Sequence, residues 1–141
     1  MNNKNNVIVI GAGLAGSECA YQLLKRGVDV TLYEMKPKKF SPAHKSENFG
    51  ELVCSNSLKS NDPYTAGGLL KQELRALDSL VIKCADECRV PAGSALAVDR
   101  EKFSELITKK LKEFKNLTIV HDEVTSLPLD KPVVVATGPL T

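Results

Sequence analysis

Three features of this 141-residue chain have residue types and spacings able to do chemistry: a glycine-rich turn, an acid beyond it, and a cysteine in a polar loop. The stretch VIVIGAGLAGSECAYQLLKRG, residues 7–27, sets Gly11, Gly13 and Gly16 at the spacing GxGxxG. In the dinucleotide fingerprint the first glycine makes a tight strand-to-helix turn, the second admits a pyrophosphate to the backbone, and the third lets helix pack closely on sheet. Ala12, Leu14 and Ala15 fill the positions between, so Gly11 to Gly16 as a whole is the candidate cradle. A helix starting near Leu14 aims its unpaired N–H groups and positive dipole end at the phosphates. Glu34 follows Gly11 by 23 positions, close to the roughly 20 expected of the acid that accepts the ribose hydroxyls. A carboxylate there repels a 2′-phosphate, so FAD or NAD fits better than NADP.

Cys54 stands in FGELVCSNSLKSND, where a short apolar run gives way to Ser, Asn, Ser and Asn. That composition predicts a loop or turn, and an exposed thiol near Lys59 is placed to take on thiolate character. The other three cysteines read as core. Cys19 lies inside the first helix, and Cys84 and Cys88 continue an apolar series with Leu70, Leu74, Leu77 and Val81 spaced by fours and threes. With no CxxC pair and only two histidines, neither a zinc site nor a disulfide framework is indicated.

These residues need a scaffold, and the surrounding patterns predict an α/β one. Val7–Ile10 reads as a buried parallel strand, Leu14–Arg26 as a helix with Gly27 at its C′ position, and Val28–Tyr33 as a second strand. The 4, 3, 4, 3, 4 series predicts one helix from about Gly67 to Glu87. Ser94–Val98 is a strand candidate after the turn VPAG. Asp99 is placed to cap a helix that carries Phe103, Leu106, Ile107, Leu111 and Phe114 on one face. LTIVHDEV reads as a third parallel strand ending at Val124. Val133–Ala136 reads as a fully buried strand delivering Thr137 and Gly138 to its carboxyl end, where open α/β sheets bind ligands. The chain stops three residues later, short of what such a fold needs, so a missing remainder is expected.

Length suits one domain. Nineteen basic and 17 acidic residues give a net charge of +2, which neither favours nor excludes a nucleic-acid partner. The lysine-rich loop MKPKKFSPAHK reads as solvated, with Lys36, Lys38, Lys39 and Lys45 available to phosphates. No apolar run approaches a membrane span, and MNNKNN lacks the apolar core of a secretory signal. A cytoplasmic protein without a membrane partner is expected.

Several stretches together carry a resemblance: VIGAGLAGSE, YEMKP, PAHK, ELVCSNSLKSN, VPAGSALAVDREKF and ATGPLT. The chain resembles the amino-terminal third of the TrmFO family, the folate- and FAD-dependent tRNA (uracil-5-)-methyltransferases, which are related to the GidA (MnmG) flavoproteins. GxGxxG and ATG are shared widely among flavoproteins, whereas ELVCSNSLKSN and VPAGSALAVDR are specific. The resemblance implies a Rossmann-like FAD-binding domain, incomplete in this chain, with residues 1–141 as its amino-terminal part. It implies formation of 5-methyluridine at a T-loop uridine of tRNA, with carbon from 5,10-methylenetetrahydrofolate and electrons from NAD(P)H. Cys54 matches the family's LVCSNS cysteine. The resemblance gives that thiolate either addition to uracil C6, which makes C5 nucleophilic, or protection of a flavin adduct. A target base inside folded tRNA has to be flipped out, or its loop opened, first. By the same resemblance Gly11, Gly13 and Gly16 line the FAD pyrophosphate, Glu34 the ribose, Val124 the adenine, and Thr137 with Gly138 the flavin side.

Family members are about three times longer, so the 141 residues alone are expected not to complete methyl transfer. Exposed sheet edges then predict self-association or marginal stability. Two other readings stand beside this one: a generic flavin or NAD oxidoreductase domain, for which Cys54 is irrelevant, and a non-catalytic nucleotide-binding fragment.

Overall fold

The computed structural model describes residues 6–139. Its first βαβ unit forms as the spacing predicts. β1 (Asn6–Ile10) feeds α1 (Leu14–Leu24), and β2 (Asp29–Tyr33) returns parallel to β1. Gly27 ends the helix in a left-handed turn at φ +76°. Its N–H donates to the Leu24 carbonyl while the Val28 N–H reaches back to Leu23, the paired bonds of a Schellman stop. β6 (Leu117–Val120) adds parallel to β2, and β7 (Val133–Val135) parallel to β1, giving the order β6-β2-β1-β7. This is the expected α/β class: a parallel sheet with flanking helices.

Sequence patterns do not announce the second sheet. β3 (Ser57–Ser60), β5 (Ala95–Val98) and the two-residue β4 (Arg89–Val90) form an antiparallel sheet in the order β3-β5-β4. β3 and β4 are too short and polar to show a period. β5 is legible as SALAV, and Gly93 (φ +58°) makes the preceding turn. α4 (Arg100–Lys112) starts where expected, Asp99 accepting the Lys102 N–H, and buries Phe103, Ile107 and Leu111. These three meet Leu80 and Cys84, Val9 and Leu32 of the sheet, and Leu96 and Val98 of β5 in one apolar core.

Two expectations need correction. The single helix over Gly67–Glu87 is two: α2 (Ala66–Ala76) and α3 (Leu80–Glu87). Asp78 takes a left-handed φ of +61° between them, and Ser79 accepts the Ile82 N–H as a new N-cap. Glu18 of α1 secures the start of α3, its carboxylate accepting from the Ser79 hydroxyl and the Leu80 and Val81 amides. The corner turns α2 away from the core, so Leu70 and Leu77 are exposed and only Cys84 of the predicted face is fully buried. Val133–Ala136 is likewise not a fully buried strand. Among the described residues β7 pairs with β1 alone, and Val135 is 56% exposed.

Candidate functional site

The glycine-rich turn lies at the carboxyl ends of β1, β2 and β7, and each glycine excludes a side chain for its own reason. Gly11 has φ +97°, and a Cβ there would meet the Ala136 carbonyl oxygen at 2.4 Å and the Thr137 Cα at 3.2 Å. A Cβ on Gly16 would fall 1.7 Å from the Gly11 carbonyl oxygen. Gly13 differs: it is the N-cap of α1 in an extended conformation, and its Cβ direction is open, with nothing within 4 Å. No side chain caps α1 and no acid stands in its first turn. An open backbone face at an uncapped, dipole-positive helix start is the cradle a pyrophosphate requires. The residues present therefore fit a dinucleotide.

Glu34 sits at the end of β2, buried, with Oε2 accepting the Ala12 N–H at 2.9 Å and Oε1 the Lys36 N–H at 3.1 Å. The carboxylate thus braces the turn itself, a role sequence spacing does not predict. Each oxygen keeps acceptor capacity for a ribose hydroxyl. Thr137 and Gly138 follow β7 directly, and Thr137 comes alongside Gly11. Val124 is not at a strand end. β6 stops at Val120, where the Asp122 N–H turns back to the Val120 carbonyl, and Val124 lies four residues on in irregular chain. The turn, Glu34 and Thr137 are brought together, whereas the strand end expected to carry Val124 belongs to Val120.

Cys54 is exposed in the predicted loop. It borders an open surface depression whose lining includes Ser55, Asn56, Val98, Asp99 and Arg100. The far side of this loop is tied to β5 by the Val98 N–H, which donates to the Asn56 carbonyl at 2.9 Å. Burial separates the other thiols from this one. It pushes Cys84 up to about 12 and raises Cys19 and Cys88 as well, so all three are held as thiols, which are poor nucleophiles.

Sequence reasoning misses the segment that joins the thiol loop to the turn. Phe49 is buried, and its N–H donates to Thr108 Oγ1 at 2.8 Å. The next residue, Gly50 (φ +63°), donates its N–H to the Ala12 carbonyl at 2.9 Å. Ala12 is therefore held from both sides, by Glu34 and by Gly50. The lysine-rich loop reads as solvated in sequence, yet Lys36 is buried, whereas Lys38 and Lys39 are exposed and pair with Asp122 and Glu123. A glycine after an aromatic residue, and a threonine inside the apolar face of α4, are the available signals.

No helix among the described residues is long and apolar enough to cross a membrane. The chain is 60% identical over 136 residues to the methylenetetrahydrofolate--tRNA-(uracil-5-)-methyltransferase TrmFO of Lactobacillus johnsonii, an alignment covering 96% of this chain and 31% of that protein. It is 58% identical over 139 residues to the enzyme of the same name from Bacillus subtilis, covering 99% and 32%. The chain thus spans about a third of the length of these relatives. Among solved structures, the GidA-related protein from Thermus thermophilus superposes with a TM-score of 0.50 at 18% identity, over 96% of this chain and 53% of that one, a likeness of fold. The family model for glucose inhibited division protein A matches residues 6–141, and the chain belongs to that family.

Proposed function

We propose that this chain is the amino-terminal, FAD-binding part of a cytoplasmic tRNA (uracil-5-)-methyltransferase. The whole enzyme, rather than this part alone, forms 5-methyluridine at a T-loop uridine, with 5,10-methylenetetrahydrofolate as carbon donor and NAD(P)H as reductant. One observation carries the reading: the loop bearing the exposed Cys54 is hydrogen-bonded, through Gly50, to the peptide of Ala12 inside the dinucleotide turn. A generic nucleotide-binding domain has no need to tie a thiol to that turn. The similarity to the two methyltransferases supports the activity.

In this reading Gly11 to Gly16 receive the pyrophosphate, Gly13 at closest approach, and Glu34 accepts the ribose hydroxyls while bracing Ala12. Thr137 and Gly138 border the flavin side. Bound FAD supplies the redox chemistry that brings the folate-derived carbon to the methyl level with electrons from NAD(P)H. Cys54 does the work on the base. Its thiolate adds to C6 of uracil, the C5–C6 π pair moves to C5 and O4, and C5 becomes the nucleophile that takes the one-carbon unit. Loss of the C5 proton and expulsion of the thiolate restore the C5=C6 bond and the free enzyme. The open depression beside Cys54 leaves the exposed thiol accessible to a flipped-out base. Self-association through the outer edge of β7 belongs to the same proposal, supported by the exposure of Val135.

The test is Cys54→Ala in a protein of the relatives' length carrying these residues. Formation of 5-methyluridine is expected to fall by about 1,000-fold or more, as for loss of a catalytic nucleophile, while bound-flavin absorbance stays near that of the parent. Methyl transfer at the parent rate would overturn the assignment of Cys54.

A further inference from the structure

We propose that Lys36 is a positioning residue: its buried ammonium clamps the 46–51 segment to the end of β2 and so sets the place of Cys54 relative to the dinucleotide turn. The inference rests on the proposed function, which gives Cys54 a reason to be positioned.

Lys36 is 4% exposed in an otherwise solvated lysine-rich loop. A buried ammonium is tolerated only when its donors are met, and this one meets three partners. Nζ donates to the Ser46 carbonyl at 3.0 Å and the Asn48 carbonyl at 2.7 Å, and lies 3.6 Å from the Glu51 carboxylate. Glu51 in turn accepts the amides of Lys45 and Ser46 at 3.0 and 3.1 Å, closing the loop on itself. The Lys36 backbone is fixed as well, its N–H on Glu34 and its carbonyl against His121 Nδ1. One short chain of contacts therefore runs from the ribose-site carboxylate through Lys36 to Glu51, three residues before Cys54. Phe49 and Gly50, inside the clamped segment, carry the bonds to α4 and Ala12. Without the ammonium, two carbonyls and a carboxylate lose their shared donor, and the segment loosens at Ser46, Asn48 and Glu51 while Phe49 and Gly50 keep their bonds to Thr108 and Ala12 and the far side of the Cys54 loop stays on β5.

Two readouts separate positioning from simple support of the fold. One is the rate of Cys54 alkylation by iodoacetamide, followed by peptide mass mapping, which separates Cys54 from the buried Cys84 and the partly buried Cys19 and Cys88. The other is FAD affinity by visible titration. Both are made in a protein of the relatives' length, together with turnover. Lys36→Met is expected to raise the rate of Cys54 alkylation about fivefold or more by local opening, and to lower turnover about 10- to 100-fold through misplacement of the thiol. FAD affinity moves less than about threefold, since Glu34 and Ala12 keep their backbone partners. Lys36→Arg, which keeps the charge and donors, should reverse most of both changes. Glu51→Gln removes the carboxylate charge facing Lys36 while keeping one oxygen to accept the Lys45 and Ser46 amides, and is expected to shift alkylation in the same direction; it decides the matter if Lys36→Met does not fold. The proposal is overturned if the variants leave alkylation and turnover as in the parent, or if alkylation and FAD affinity change only in step with the unfolded fraction. Failure of the underlying reading looks different: Cys54→Ala methylates normally while the alkylation shift in Lys36→Met persists.

Discussion

Gly13 and Gly16 stand three residues apart in one turn and exclude side chains for unrelated reasons, which makes them a test of the nucleotide site. The missing methyl of Gly16 would lie inside the Gly11 peptide, so Gly16→Ala forces α1 off the sheet. A cost of about 3 kcal/mol or more is expected, as for severe overpacking, and FAD binding is lost with the fold. Gly13 is extended at φ −71° and faces open space. Gly13→Ala is expected to cost about 1 kcal/mol at most, yet to weaken FAD binding about tenfold or more because the new methyl stands where the pyrophosphate must come close. Thermal melts and flavin titrations of the two variants check this. A Gly13→Ala protein that binds FAD like the parent would move the cradle elsewhere.

At the scale of elements, the corner between α2 and α3 carries a surface cluster of charges around Asp78. Asp78 accepts from the ammonium groups of Lys25, at the end of α1, and Lys83, in α3, and these bonds lower its carboxyl from the usual 3.8 to about 2. Between those values the unfolded chain binds more protons than the native one, so stability rises with pH across the window and is lost as pH falls from about 4 to about 2. The group is exposed, so salt screens the effect. Asp78→Asn, whose side chain tolerates the left-handed backbone, is expected to keep the corner and flatten this acid dependence. Melts from about pH 5 to about pH 2 at low and high salt read it directly; an unchanged slope would mean that other carboxylates set the acid limit.

For the whole molecule, the parallel sheet presents two outer strands among the described residues, β6 and β7. Leu127 and Leu129, in the segment leading to β7, are exposed, as is Val135 within it. A strand edge with free backbone groups and apolar neighbours is a template for pairing. Sedimentation velocity of the 141-residue chain is expected to show association rising with concentration. Val135→Lys should suppress it with little effect on the melting temperature, because the site is already exposed. Concentration-independent sedimentation of the parent chain would remove self-association from the proposal.

The sequence by itself determined the βαβ unit, its stop at Gly27, the start of α1, the cap at Asp99, the location of Glu34, and the loop around Cys54. Each of these depends on neighbours within a few turns of chain: a helical or strand period, a position that admits only glycine, a side chain in reach of its own backbone. Tertiary structure alone decided that Lys36 is buried rather than solvated, that Glu34 braces Ala12, that Gly50 joins the thiol loop to the turn, and that Phe49 docks on Thr108, 59 residues away. It also broke the 67–87 series at Asp78, where ion pairs to α1 and α3 and the Ser79 cap favour a corner over a continuous apolar stripe, and it ended β6 before Val124. Such outcomes turn on which distant groups share a burial site, and that sharing leaves no local period to read.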